Sequence, residues 1–238
     1  MVEARSTDPA APDRRSPDAK RVDVERLVFF TDAVVAIAMT LMILPLMDAV
    51  ADAADEGLDA WGYVRENVDP LISFLLSFVI IARFWRSHHR LFARVEWEVP
   101  GLFALNIAWL VAIVFLPVAT SMTGLMSPST SVFAVYIGAM LVAALLMAAM
   151  IVLLRRHPEA WRAGEEVPAE LALTALVVCL LMAVALLLAV VVPGLGYFAL
   201  LVLLLGRPVH WTLDRGLARY RLARHSPAHE RSHRTGSA

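Results

Sequence analysis

The chain has 238 residues, of which 59% are hydrophobic and only 18% charged, and its mean hydropathy is +0.67. That balance excludes an ordinary soluble enzyme. The net charge of −1 hides an uneven placement: nearly all charges fall in the first 32 residues, a few short connections and the last 32.

In chain order, residues 1–24 read as a solvated tail of Ser, Pro, Asp and Arg with little to bury. No cleaved signal peptide is expected, because the first apolar run follows about 26 largely polar residues and gives way to acids instead of a small-residue cleavage site. Only helices and closed barrels satisfy every backbone group in lipid, and the apolar runs here are continuous where barrel strands would alternate. We therefore expect an all-α integral membrane protein with six helices, at about 27–47, 68–88, 99–122, 132–154, 171–192 and 196–211. Between Val99 and Leu154 there is no Asp, Glu, Lys, Arg or His, a stretch long enough for two crossings. Pro117 and the turn Ser127-Pro128-Ser129-Thr130 divide it. Pro193-Gly194-Leu195-Gly196 separates the fifth helix from the sixth. The domain plan is then a tail (1–24), a six-helix membrane domain (25–211) and a basic tail (212–238).

Charge in the connections tests that count, since cytoplasmic loops collect Lys and Arg. With six spans, 20 of the 21 basic residues fall on one side and only Arg65 on the other. Arg65 sits among Asp48, Asp52, Asp55, Glu56, Asp59, Glu66 and Asp69, which read as an acidic, solvated outer loop. Both termini are expected to be cytoplasmic and the chain multi-pass in the plasma membrane. The basic C-terminal tail reads as a positive-inside tail near anionic headgroups in preference to a nucleic-acid arm, so no nucleic-acid partner is expected. The excess of arginine over lysine, with frequent alanine, suggests a bacterial source.

No nucleophile paired with a base, no phosphate loop and no convincing metal-ligand spacing is present, which turns the question from catalysis to transport. His88-His89 could ligate a metal, but adjacent residues on a helix point about 100° apart and no third ligand is evident. No catalytic residue, metal or cofactor is expected. Cys179, the single cysteine, reads as a small hydrophobe. Asp32 is the informative ionisable residue, since it lies inside the first span where a charge is costly. Its polar neighbours repeat at helical spacing: Arg26 before it, Trp85 and His88 at i and i+3 on the second span, Asn106 and Trp109 likewise on the third. Such a belt would satisfy a buried carboxylate and fix how three helices pack. Beyond Asp32, Ile37, Thr40, Leu41 and Leu44 form one stripe. In a monomer that stripe is lipid-facing or core. Around an axis shared by several copies, the same residues would line a narrow apolar pore with a ring of hydroxyls.

Arg26-Leu27-Val28-Phe29-Phe30-Thr31-Asp32, followed by Ala-Val-Val-Ala-Ile, resembles the Arg-x-x-x-Phe-Ser-Asp signature that opens the first helix of the transmembrane protein 175 family of potassium channels. The segment from Phe78 through Trp85, His88 and His89 to Phe92 is similar to that family's second helix, and Asn106 and Pro117 fit its third. Thr31 stands where the family has serine and keeps the hydroxyl.

The resemblance implies a homotetramer in the lipid bilayer, with the first helix of each copy lining a central pore. It implies Ile37 as the hydrophobic constriction, Thr40 as a contributor to potassium preference and Leu44 a turn beyond. It also implies a helix-packing network of Arg26, Thr31 and Asp32 with Trp85 and His88, and potassium ions as the permeating species. The expected function is a leak-like potassium channel. The alternatives are a proton-coupled secondary transporter using Asp32, and a non-conducting scaffold acting through its tails.

Overall fold

A computed structural model of the protein describes residues 17–192. It is all-helical: α1 (Pro17–Leu41), α2 (Leu44–Asp55), α3 (Ala60–Glu66), α4 (Val68–Phe92), α5 (Leu102–Leu125), α6 (Thr130–Arg156) and α7 (Ala169–Val191), with one 3₁₀ turn at Pro158–Ala160. Five stretches among the described residues are long and apolar enough to cross a membrane: Asp23–Asp55, Val68–Phe92, Leu102–Leu125, Thr130–Arg156 and Ala169–Val191. The sixth span expected at 196–211 and the tail 212–238 lie outside the described residues.

The helix ends follow local chemistry. Ser129, extended at φ −146°, caps α6 by accepting a hydrogen bond from the Val132 N–H, and the break expected at Ser127–Thr130 falls at Ser127 to Ser129, with Thr130 already in the helix. Gly101 takes φ +90° immediately before α5, a conformation open to glycine and costly for other residues. Pro117 lies inside α5 and withholds one N–H from the ladder. Downstream, Thr120 donates to the Leu116 carbonyl at 2.8 Å and Ser121 to the Pro117 carbonyl at 3.0 Å.

The first expected span, 27–47, is not one helix. The chain turns at Met42 and Ile43 and resumes as α2. Pro45 is the cause: it cannot donate to the Leu41 carbonyl, and its ring crowds that carbonyl, so α1 stops there and Pro45 sits at the start of a new helix. At its other end α1 reaches back to Pro17, into the stretch expected as tail.

The acidic loop is also helical. α2 buries Leu46 and Ala53 and leaves its aspartates outward. Asp59 caps α3, accepting from the Gly62 N–H at 2.7 Å, and the Tyr63 hydroxyl ties α3 back by donating to the Leu46 carbonyl at 3.0 Å. All seven acids remain exposed.

α5 occupies the middle of the bundle, packed against α1, α4 and α6, and α7 packs on α6. Its residues Trp109, Ile113 and Leu116 meet Ile137 and Met140 of α6 in the core. Near the far ends of α4 and α5 the backbones approach so closely that a Cβ on Gly124 would lie 3.1 Å from the Pro70 Cα.

On the side where α4 ends and α5, α6 and α7 have termini, the two connections are clasped together. Val95 pairs antiparallel with Trp161, the Glu96 N–H donates to the Ala160 carbonyl at 2.8 Å, and the Arg162 N–H to the Arg94 carbonyl at 2.9 Å. Arg94 reaches Glu165 at 3.4 Å and donates to the Glu166 carbonyl at 2.9 Å. Sequence reading treated these segments only as carriers of positive charge.

Candidate functional site: an open face and an anchored face on α1

α1 has two faces. Val24, Leu27, Thr31, Val35, Ala38 and Met42 follow one another at steps of three or four, are all buried, and turn toward the packed side of the helix. On the other side Phe30, Ile37 and Leu41 are exposed, Ile37 by 58%, Thr40 is exposed between them, and Leu44, also exposed, follows past the turn at the start of α2. A single chain therefore leaves a long apolar stripe uncovered along the helix that opens the fold. The Thr40 hydroxyl donates to the Ile37 carbonyl at 2.8 Å, which fixes its proton inward and leaves the oxygen lone pairs outward.

Two polar ties hold the anchored face. In the first, Asn106 of α5 is fully buried and bridges two helices: its Nδ2 donates to the Thr31 hydroxyl at 2.8 Å, and its Oδ1 accepts from His88 Nε2 of α4 at 2.6 Å. Thr31 and His88 are likewise fully buried. The acceptor role of Asn106 Oδ1 places the His88 proton on Nε2. His88 is also stacked between Phe92 (centroids 4.2 Å apart, planes 19°) and Trp109 (4.6 Å, 18°). In the second tie, the Trp85 indole N–H donates to Asp32 Oδ1 at 2.8 Å, at a half-buried carboxylate.

The expected network is thus brought together with different wiring. Asn106 hydrogen-bonds Thr31 and His88, not Asp32, and Asp32 takes its hydrogen bond from Trp85. Trp109 supplies a stacking face, while its indole N–H and His88 Nδ1 have no hydrogen-bond partner among the described residues. Arg26 stays outside the network, exposed and one turn before exposed Phe30 on the uncovered side. His88 and His89 do not converge on a common site: His89 is exposed and rests against Trp85 at 5.7 Å. Among the described residues no cluster of three metal-type ligands forms.

Sequence reasoning missed the Phe92 face of the histidine stack, although Phe92 follows His88 at i+4 on the same helix. It also missed the 2.7 Å hydrogen bond between Ser77 of α4 and Tyr136 of α6, two buried hydroxyls 59 residues apart with no local signal linking them.

The matched region coincides with this site. Residues 26–117 fit the family model described as the endosomal/lysosomal potassium channel TMEM175, a stretch that begins at Arg26 and ends at Pro117. Across that stretch the chain resembles the TMEM175 family. It thereby includes the open face of α1, α4, and the part of α5 that carries Asn106 and Trp109.

Two curated relatives illustrate the TMEM175 likeness. A potassium channel of Chryseobacterium sp. (strain P1-3) is 28% identical over 99 residues, covering 42% of this chain and 48% of that protein. The endosomal/lysosomal proton channel TMEM175 of Danio rerio is 29% identical over 102 residues, covering 41% of this chain and 18% of that one. The chain thus spans about half the length of the first relative and under a fifth of the second.

A crystal structure of a lysosomal potassium-selective channel TMEM175 homolog from Chamaesiphon minutus superposes with a TM-score of 0.63 at 23% identity. The superposition covers 78% of this chain and 98% of that one. At that identity the likeness establishes the fold.

Proposed function

We propose that this chain is a potassium channel whose conduction path is formed by the open faces of α1 from four copies, in the plasma membrane with both termini cytoplasmic. The observation that carries the reading is the exposed stripe Ile37, Thr40, Leu41 and Leu44, directly opposite a face locked by buried hydrogen bonds. A helix so anchored presents its other side in a defined orientation, to lipid in a lone chain and to a shared axis in an assembly. Four such faces around an axis make a dry constriction at Ile37, which hydrated ions cross only when it widens. Thr40, one turn on, offers an oxygen to a partly dehydrated cation. The arginine-rich connections support the orientation by the positive-inside bias, and the exposed acids of α2 and α3 raise the local cation concentration at the opposite mouth.

The test is potassium efflux from liposomes holding the purified protein, beside Ile37→Asn and with sodium as comparison. Flux that favours potassium and rises in the variant is the expected result; unchanged flux in Ile37→Asn removes this residue from the path. The proton-channel name of the Danio rerio relative favours a second reading in which protons also permeate. A pH-sensitive dye trapped in the same liposomes separates the two readings.

A further inference from the structure

The exposed face of α4 changes character along its length. Ile72, Leu75 and Val79 are exposed and apolar, and at the same steps of three and four the face continues as Arg83, Arg86 and Arg90, also exposed. It lies opposite the side on which Ser77, Ile81 and His88 are buried against the bundle. From Leu71 to Phe92 the helix carries no acid. Among the described residues none of the three guanidinium groups has an acidic or hydrogen-bonding partner, whereas Arg94, one turn on, is occupied by Glu165 and the Glu166 carbonyl.

From Ile72 to Arg90 the axis runs about 27 Å at 1.5 Å per residue, comparable with the hydrocarbon thickness of about 30 Å. With the apolar half in hydrocarbon, three arginines spread over about 10 Å of axis stand at headgroup level on the side of the clasped connections. A guanidinium there is stabilised by phosphate, which it binds through two parallel N–H donors. A second copy presenting this same face would set arginine against arginine, so the charge that complements it comes from elsewhere.

We propose that Arg83, Arg86 and Arg90 hold the phosphate of an anionic phospholipid whose acyl chain lies along Ile72, Leu75 and Val79. The site is separate from the uncovered stripe of α1, and its occupancy does not depend on conduction.

The experiment measures the association of spin-labelled phosphatidylglycerol relative to phosphatidylcholine in vesicles holding the full chain. The expected result is a preference for phosphatidylglycerol that weakens with added salt. Arg→Gln at all three positions should lower it at least about tenfold, each lost charge near the surface being worth about fivefold. Arg→Lys at all three should keep most of it. An equal preference in wild type and triple Gln variant, or no salt-sensitive preference in the wild type, overturns the proposal. So does a change of oligomeric state in the Gln variant, which would make the face a contact between copies. The wild-type salt titration stands even if the Gln variant fails to fold.

Discussion

Replacing Asn106 by Leu removes both hydrogen bonds of the buried tie while keeping the branching and number of side-chain heavy atoms, so no cavity accompanies the loss. The two partners fare differently. The Thr31 hydroxyl can turn to the carbonyl one turn back on α1, which recovers part of its bond. His88 cannot: it is gripped between Phe92 and Trp109, its Nδ1 already lacks a partner, and its Nε2 proton would join it. Hydrogen bonds between helices in membranes are worth about 0.6 kcal/mol on average and about 1.7 at most, so two of them set a loss of about 1–3 kcal/mol, with the histidine's share at the upper end. Denaturation of the full chain in mixed micelles by increasing SDS, followed by tryptophan fluorescence, reads this directly, since Trp85 and Trp109 adjoin the site. The double variant His88→Phe/Asn106→Leu keeps the aromatic stack and leaves no orphaned donor on α4, so it should be more stable than Asn106→Leu alone. A single variant within about 0.5 kcal/mol of wild type, or a double variant worse than the single, would refute the view that this hydrogen-bonded bridge anchors α1.

Gly124→Ala should destabilise by about 1–2 kcal/mol, because its Cβ would press on the Pro70 backbone at 3.1 Å, whereas Gly138→Ala, with open space around it, should be neutral or stabilising by up to about 1 kcal/mol; SDS unfolding of both variants checks the pair. Arg94→Ala should leave overall stability within about 1 kcal/mol, since its partner Glu165 is largely exposed, yet loosen the clasp. Limited proteolysis between residues 157 and 168 should accelerate in that variant, and an unchanged rate would mean the backbone bonds of the clasp suffice.

Much of this protein was legible from the chain alone. Continuous apolar runs, a charge-free stretch from Val99 to Leu154 and the turn at Ser127–Thr130 set the described spans from α4 to α7, because a bilayer admits few other ways to satisfy a backbone. The spacing of Trp85 with His88, and of Asn106 with Trp109, marked residues that share a helical face. Spacing states which residues share a face and says nothing about what the face meets. Only packing decided that Asn106 turns to Thr31 and His88 while Trp85 takes Asp32, and that Arg26 stays outside. Long-range hydroxyl pairing, as between Ser77 and Tyr136, leaves no periodic trace, since each partner sits in an ordinary apolar pattern of its own helix. The break after Leu41 had its cause in plain view at Pro45, but membrane helices often absorb a proline, as α5 does at Pro117, and local sequence does not tell the two outcomes apart. What separates them is tertiary: Pro117 is buried in a helix packed against α1, α4 and α6, while Pro45 is only half-buried, between the buried Met42 and Leu46.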